Sequence, residues 1–224
     1  MRVTLDCVSV NVRISEGKVP AIFLHGNGES SSLFKDVPKY LSPQFKVIAP
    51  DTRGHGKSTY APLSYDYFAE DVKGIADALG LNKPVLVGFS DGAITALKAL
   101  IEYPGFFGGA VLAGANFAPG GLKRKVRALF KFMYFLTRSE RVRLMLDEPV
   151  FDEKDIAAID APVLILAGEK DMVELSHTEK LASLIKGSEL KILKGESHSS
   201  YVADNRKFVG EISGFLMRVG GKNE

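Results

Sequence analysis

The amino-acid sequence predicts an α/β protein with a mostly parallel sheet and helices on both faces of that sheet. Short apolar runs bounded by turn residues recur along the chain, and their length and β-branched content are typical of buried strands. Longer stretches with apolar residues at helical spacing lie between most of these runs. Strands that alternate with helices indicate a parallel sheet, because each helix carries the chain back across one face.

The individual strands and helices are predicted from these apolar runs and from the helical spacing of apolar residues. Residues 3–14, VTLDCVSVNVRI, alternate apolar and polar side chains, as a half-exposed antiparallel pair does. Six apolar runs predict buried strands at 21–25, 46–50, 84–88, 109–114, 162–168 and 190–195. Three amphipathic stretches predict helices at 65–81, 175–188 and 205–219.

The composition indicates a single domain over residues 1–224. Charged residues make up 25% of the chain and hydrophobic residues 46%, which is ordinary for a globular protein. The net charge of +2 gives no argument for a nucleic-acid partner. Cys7 is the only cysteine, so no disulfide forms within the chain.

Several classes of site and location are also disfavoured by the sequence. No stretch approaches about 18 uninterrupted apolar residues, so we expect no integral membrane segment. The N-terminal residues lack the apolar stretch of a signal peptide, and we therefore expect a cytoplasmic location. No cluster of cysteine, histidine and acidic residues suggests a metal, no phosphate-binding loop is present, and we expect no cofactor. The oligomeric state stays open, a homo-oligomer included.

A serine, an acid and a histidine follow three of the predicted strands in that order: Ser90, Asp171 and His198. Ligands of such sheets bind at the carboxyl ends of the strands, so these are the side chains to examine for chemistry. A serine hydroxyl is a weak nucleophile until a base takes its proton, and histidine can take that proton and return it. A carboxylate fixes the tautomer of the imidazole. The three residue types together indicate acyl transfer.

The serine stands in the segment Gly88-Phe89-Ser90-Asp91-Gly92, between an apolar strand and a helical pattern. A helix N-cap is the simple alternative for this residue, since serine is favoured there. A cap does not require a glycine two residues away on either side. Glycines are needed where the backbone turns tightly or another element comes close, as in a strand-to-helix elbow that presents a nucleophile.

The acid and the histidine also have alternatives. Asp171 could start the following helix, where acids are favoured, and Glu169 and Glu174 are the other acids of the same loop. His198 could be a surface histidine, and we expect His177 to be solvated.

Five motifs, each at the end of a predicted strand, are similar to those of the α/β-hydrolase superfamily. They are HGNG after 21–25, DTRGHGKS after 46–50, GFSDG after 84–88, AGEKD after 162–168 and GESH after 190–195. The resemblance implies a three-layer fold with an eight-stranded, mostly parallel sheet and a lid inserted after strand six. It also implies an oxyanion hole made by the backbone N–H groups of Asn27 and Asp91.

The lid falls at residues 117–155. Leu122, Val126, Leu129, Met133 and Leu136 have helical spacing and predict an apolar seam that packs on the domain. Residues 123–143 contain eight basic residues and one acid, Glu140. We interpret the basic side chains as a solvated face, with attraction of anionic substrates or an interfacial helix as alternatives. The lid is short, which favours an open or shallow pocket.

The sequence thus predicts a cofactor-independent serine hydrolase, most simply a carboxylesterase that acts on small-to-medium esters through an acyl-enzyme. A C–C bond hydrolase, a lactonase and a thioesterase can use the same residues. An alternative of another class is a ligand-binding receptor or scaffold with little turnover. The expected partner is a small-molecule ester or related acyl substrate. The sequence does not identify which one, because the shape of the pocket sets acyl specificity.

Overall fold

Eight strands form one sheet in the computed structural model, which describes residues 1–6, 8–41 and 43–221. The sheet order is β1-β2-β4-β3-β5-β6-β7-β8. The strands are β1 (Arg2–Thr4), β2 (Ser9–Ile14), β3 (Val19–Leu24), β4 (Phe45–Pro50), β5 (Val85–Phe89), β6 (Gly109–Ala113), β7 (Val163–Lys170) and β8 (Glu189–Ser197). All six apolar runs named from the sequence are strands, but the burial predicted for residues 190–195 is wrong, because β8 at the end of the sheet is mostly exposed.

The pairing confirms a mostly parallel sheet with an antiparallel start. Strands β1 and β2 pair antiparallel, and β2 is antiparallel to β4. The neighbours from β4 through β3, β5, β6 and β7 to β8 are all parallel. The carboxyl ends of six strands therefore meet at one edge of the sheet, where the motif residues follow them.

Helices cover both faces of the sheet. They are α1 (Val37–Tyr40), α2 (Tyr65–Ala78), α3 (Asp91–Glu102), α4 (Arg124–Thr137), α5 (Glu140–Asp147), α6 (Glu153–Ala157), α7 (Leu175–Leu184), α8 (Ser200–Ala203) and α9 (Asn205–Gly220). Two short 3-10 helices lie at Ser31–Phe34 and Pro119–Gly121. The three helices predicted from the sequence correspond to α2, α7 and α9.

A large hydrophobic core lies on each side of the sheet. Along β3, Ile22 and Leu24 belong to the core under α2, α3 and α7, whereas Ala21 and Phe23 belong to the core under α9. Side chains of a strand alternate between faces, and both faces are buried here. This is why the central strands appear in the sequence as unbroken apolar runs.

Local signals explain where two of the long helices begin. The side chain of Ser64 accepts a hydrogen bond from the backbone N–H of Tyr67 and caps α2. The carboxylate of Asp204 accepts from the N–H groups of Arg206 and Lys207 and caps α9. Each cap satisfies N–H groups that have no partner inside the helix.

Helices α4, α5 and α6 form an insertion between β6 and β7. The apolar seam predicted for this segment is wrong for three of its five side chains, because Leu129, Met133 and Leu136 are exposed, whereas Leu122 is buried and Val126 is half-buried. The half-buried side chains of α4 are Val126, Arg127, Phe130 and Tyr134, which lie on another face of the helix. Within the described residues, no helix combines the length and the apolar character that crossing a membrane requires.

Candidate active site

Ser90 lies at a sharp turn between β5 and α3. Its backbone has φ 52° and ψ −119°, a sparsely populated conformation for a residue with a side chain. A Cβ atom on Gly88 would lie 2.2 Å from the carbonyl oxygen of Gly92, and one on Gly92 would lie 2.0 Å from that of Leu24. Both glycines are therefore required by close backbone contacts, as the sequence argument anticipated.

The side chains of Ser90, His198 and Asp171 form one chain of hydrogen bonds. Ser90 Oγ is 3.0 Å from His198 Nε2, and His198 Nδ1 is 2.6 Å from Asp171 Oδ1. The Ser90 hydroxyl does not cap α3. The simple N-cap alternative for this serine therefore does not hold.

Asp171 is buried, with hydrogen bonds that hold its carboxylate in place. Oδ1 accepts from the N–H of Val173 at 3.0 Å, and Oδ2 accepts from the N–H of Gly168 at 3.3 Å. Burial acts to raise the pKa of Asp171, but the bonds from His198 and these two amides outweigh it and lower the pKa. The carboxylate thus stays ionised beside the imidazole.

The two alternative acids of this loop point elsewhere. Glu169 is exposed and accepts a hydrogen bond from the N–H of Gly195 at 2.8 Å. Glu174 is exposed at the start of α7. Asp171 does not cap α7, whose N-cap position is Glu174. Asp171 is therefore the acid that the structure brings to His198.

The loop with Asn27 lies against the serine. A Cβ atom on Gly26 would be 3.2 Å from Ser90 Cβ. Asp91 is the first residue of α3, so its backbone N–H has no partner within the helix. Both residues predicted for an oxyanion hole thus flank Ser90, which is the placement that two converging N–H donors need.

Comparison with known proteins identifies the family. Residues 20–140 match the model of the alpha/beta hydrolase fold family. The chain belongs to the α/β-hydrolase fold family. The sheet order and the turn at Ser90 are consistent with that membership.

Curated relatives of this α/β hydrolase include enzymes named for different activities. A 2-hydroxy-6-oxo-6-phenylhexa-2,4-dienoate hydrolase of Comamonas testosteroni is 32% identical over 148 residues, which are 60% of this chain and 51% of the relative. The serine hydrolase BPHL of Homo sapiens is 28% identical over 214 residues, 82% of this chain and 72% of the relative. The first three matched relatives are covered over 51%, 50% and 38% of their own length.

A solved structure covers the chain more fully. The esterase RhEst1 from Rhodococcus sp. ECU1013 aligns with a TM-score of 0.77 and 27% identity, over 98% of each chain. This likeness extends over all layers of the fold, the insertion after β6 included.

The α/β hydrolase also has a polar cluster beside Ser90 that the sequence analysis did not identify. The Asp91 carboxyl is buried, and its Oδ2 accepts a hydrogen bond of 2.8 Å from Asn27 Nδ2. The Tyr65 hydroxyl is buried close by, and Glu148 accepts a hydrogen bond from the N–H of Tyr65. No local motif of the sequence indicates these partners of the Asp91 side chain.

Burial raises the pKa of two carboxyls in this cluster. The pKa of Asp91 is raised to about 6, because desolvation outweighs the hydrogen bond from Asn27. Burial also raises the pKa of Glu148. A third carboxyl, Glu29, accepts from the N–H of Gly26 at 2.9 Å, and burial raises its pKa as well. The surroundings of Ser90 are therefore acidic, although the insertion above them is basic.

The space in front of Ser90 is narrow. A cavity of about 20 Å³ is lined by Ser90, Asp91 and His198 together with Phe130 of α4 and Met145 of α5. This volume corresponds to about one water molecule. A second, open cavity of about 600 Å³ borders His198 and Asp171 and is lined by Lys123 and Val126 at the start of α4, in agreement with the open pocket expected from the short lid. Of the aromatic side chains of α4, Phe130 lines the narrow cavity, whereas Phe132 and Phe135 are exposed.

The other histidines of the α/β hydrolase have structural contacts. The pKa of His25 is lowered to about 4 by burial, and its Nε2 accepts from the N–H of Thr52 at 3.1 Å. His177 was expected to be solvated, and this is wrong. Its ring stacks on Phe117 with centroids 4.0 Å apart, and its Nε2 accepts from the N–H of Phe117 at 3.2 Å. Among the described residues, no group of three or more histidine, cysteine or acidic side chains is arranged to hold a metal.

Proposed function

We propose that the protein is a serine hydrolase that cleaves carboxylic esters through an acyl-enzyme on Ser90. One observation carries the proposal: a serine on a strained turn is joined by hydrogen bonds to His198 and, through it, to a buried carboxylate, Asp171. Nucleophile, base and orienting acid in this geometry are what acyl transfer requires.

In the first step, Ser90 Oγ attacks the carbonyl carbon of the ester while His198 Nε2 takes the hydroxyl proton. The Asp171 carboxylate keeps the proton of the imidazole on Nδ1 and stabilises the imidazolium that forms. The tetrahedral oxyanion accepts hydrogen bonds from the backbone N–H groups of Asn27 and Asp91. His198 then gives its proton to the leaving alkoxide, and the alcohol departs.

In the second step, water hydrolyses the acyl-enzyme. His198 Nε2 takes a proton from the water, which attacks the carbonyl carbon, and then returns a proton to Ser90 Oγ as the acid leaves. No cofactor enters either step. The cycle ends with the same protonation of all three side chains as at its start.

Residues 117–155 act as a lid in this proposal. Phe130 and Met145 belong to this segment and line the small cavity at Ser90. The open cavity of about 600 Å³ that borders His198 and Asp171 gives a substrate access to the site. Because the space at Ser90 itself is narrow, we expect a preference for short acyl chains.

A C–C bond hydrolase is the second candidate. The relative from Comamonas testosteroni, whose printed name gives 2-hydroxy-6-oxo-6-phenylhexa-2,4-dienoate as its substrate, supports it. That match spans about half of the relative, 51%, and therefore supports the candidate only weakly against the esterase proposal. A cytoplasmic location stays a prediction from the sequence, and the oligomeric state stays open.

A substrate panel tests the two candidates. Purified protein is assayed with p-nitrophenyl esters of rising chain length, a thioester and a vinylogous 1,5-diketone that reports C–C cleavage. We expect the highest kcat/KM for a short ester. Faster cleavage of the diketone would favour the second candidate, and no turnover of any substrate by folded protein would favour a binding role.

Labelling tests the nucleophile separately. A fluorophosphonate probe reacts with activated serines and not with ordinary ones. We expect the labelled peptide to contain Ser90. A label on another serine would contradict the mechanism.

A further inference from the structure

Helix α4 presents its apolar face to solvent. Five large apolar side chains form this outer face, and their exposed fractions are Leu129 55%, Phe132 59%, Met133 38%, Phe135 67% and Leu136 63%. With successive residues about 100° apart, these five lie within an arc of about 160°. Val126, Phe130 and Tyr134, which are half-buried, lie on the opposite side and face the domain.

This arrangement differs from that of an ordinary surface helix, because α4 has large apolar side chains on its outer side as well as on the side that faces the domain. An amphipathic helix normally turns its apolar stripe toward the core and its charges toward water. No side chain of α4 is fully buried, and the five residues of the outer face are all exposed. Contiguous exposed apolar side chains mark sites where proteins meet another molecule or a membrane.

The charges around the outer face of α4 indicate the chemistry of the partner that covers it. Helix α4 and the residue that follows it contain Arg124, Lys125, Arg127, Lys131 and Arg138 and no acidic residue. Within residues 1–6, 8–41 and 43–221, none of these five basic side chains forms an ion pair with a carboxylate. Arg124, Lys125, Lys131 and Arg138 are exposed beside the apolar side chains. The surface is therefore both apolar and cationic.

A second copy of the chain is a poor occupant of this surface. Symmetric pairing would bring the α4 surfaces of two copies together. The basic side chains of one copy, such as Lys125, Lys131 and Arg138, would then lie against an equally basic helix, and α4 has no carboxylate to balance them. Like charges placed together across an interface oppose association.

An anionic lipid surface fits both properties. We propose that α4 is an interfacial helix that docks this hydrolase on membranes containing anionic lipids, with Phe132, Leu136 and their neighbours in the boundary between headgroups and acyl chains. Lysine and arginine side chains next to such a face contact the lipid phosphates. The helix has 14 residues and is about 21 Å long, which is too short to span about 30 Å of hydrocarbon, so it lies on the surface.

The inner side of α4 connects this surface to the candidate active site. Phe130 lines the cavity at Ser90, so a docked α4 holds that cavity close to the lipid headgroups. The docking itself does not depend on the chemistry of Ser90. Loss of activity and loss of membrane binding are therefore separate observations, and one can fail without the other.

Vesicle flotation tests the proposal with the full chain. Vesicles of phosphatidylcholine alone are compared with vesicles of equal parts phosphatidylcholine and phosphatidylglycerol. We expect the protein to float with the anionic vesicles, to float poorly with the neutral ones, and to be released as salt rises, since screening weakens the contacts of the basic side chains. No binding of folded protein to the anionic vesicles at low salt overturns the proposal.

Two variants separate the apolar and the cationic contributions. The double substitution Phe132→Ser and Leu136→Ser removes two exposed apolar side chains, and we expect about a hundredfold weaker partitioning into anionic vesicles. Lys125→Gln with Lys131→Gln should weaken binding about thirtyfold and flatten its salt dependence, at about 1 kcal/mol for each basic side chain. Circular dichroism confirms that each variant is folded, and the charge variant leaves the apolar face intact.

Matched controls use similar residues of other elements. Met217→Ser changes an exposed apolar side chain of α9, and Lys18→Gln with Lys186→Gln changes two exposed lysines near the amino ends of strands. These controls should bind as the unchanged protein does. Equal loss in the controls and the α4 variants overturns the proposal. A second result would also overturn the proposal. If the protein binds no vesicles but forms a dimer in sedimentation velocity, and Phe132→Ser with Leu136→Ser dissociates that dimer, then a second copy of the chain occupies the outer face of α4.

Discussion

The side-chain amide of Asn27 donates a hydrogen bond of 2.8 Å to the buried carboxyl of Asp91, 64 residues away in the chain. Both residues flank Ser90, and the same amide also donates to the carbonyl oxygen of Arg141 at 3.2 Å. This contact joins the loop after β3, the start of α3 and the helix α5. It therefore holds together the elements that supply the two proposed oxyanion donors.

The Asp91 carboxyl should make stability depend on pH. Its pKa is about 6 in the folded protein and near 3.8 in a free carboxyl, so the folded state binds more protons between these values. The contribution of this carboxyl to the free energy of unfolding is therefore greatest below about pH 4 and is lost as pH rises through about 6. The substitution Asp91→Asn keeps an acceptor for Asn27 and removes the charge. We expect the variant to be more stable than the unchanged protein above pH 6, by up to about 3 kcal/mol.

Urea unfolding at several pH values measures this effect. The difference between the variant and the unchanged protein should grow from about pH 4 to about pH 7 and then stay level. Asp160→Asn, which changes an exposed acid, serves as the control. A difference that does not vary with pH would show that the Asp91 carboxyl does not titrate in this range.

Substitution of the serine and of the histidine should not have additive effects. Ser90→Ala and His198→Ala should each lower kcat by several orders of magnitude, and the double variant should lose little more, because the residues act as a unit. Steady-state kinetics with a short p-nitrophenyl ester measures the three losses. Additive losses would indicate that the two residues do not act in the same step.

The acid of the site should be distinguishable from its neighbour in the same loop. Asp171→Asn should keep the fold and lower kcat by roughly 10⁴, because the amide favours the wrong tautomer of His198. Glu169→Gln is the matched control, since Glu169 is exposed and contacts the N–H of Gly195. We expect nearly unchanged turnover for the control. The reverse result would make Glu169 the acid and leave the serine hydrolase proposal standing.

Gly114 should be required for the position of His198. It has φ +67°, and an added Cβ atom would lie 2.8 Å from His198 Cε1. Gly105→Ala is the control, since Gly105 has φ +75° and open space where the Cβ atom would stand. Both variants should lose roughly 1–2 kcal/mol of stability from the positive φ. Only Gly114→Ala should also lose activity, by about a hundredfold, because the imidazole is displaced. Similar kcat/KM values for the two variants would contradict this role.

Much of the fold was predictable because its signals are local in the sequence. A strand buried on both faces appears as an apolar run, and a strand-to-helix turn with close backbone contacts requires glycines such as Gly88 and Gly92. The carboxyl ends of parallel strands meet at one edge, so polar residues at those ends are expected to converge there. The three residues Ser90, Asp171 and His198 were chosen on this basis, and the structure places them within hydrogen-bond distance.

The polar cluster of Tyr65, Asp91 and Glu148 beside Ser90 was not predictable, because its members come from separate elements. Tyr65 begins α2, Asp91 begins α3 and Glu148 follows α5. Each residue has an ordinary sequence context, and neither the spacing nor the residue type indicates the others. Their burial raises the pKa of the Asp91 carboxyl, and burial is a property of the packed chain.

Helix α4 shows most clearly what the sequence alone determined and what only tertiary structure decided. The sequence determined that the helix is amphipathic, since helical spacing identifies the residues that share a face. It did not determine which face turns inward. The start of α4 is held by the bridge between Leu122 and Val173 and by the hydrogen bond from the N–H of Lys123 to the carbonyl oxygen of Met172. These contacts set the rotation of the helix about its axis, so that Phe130 turns toward the cavity and Leu129 and Met133 toward solvent.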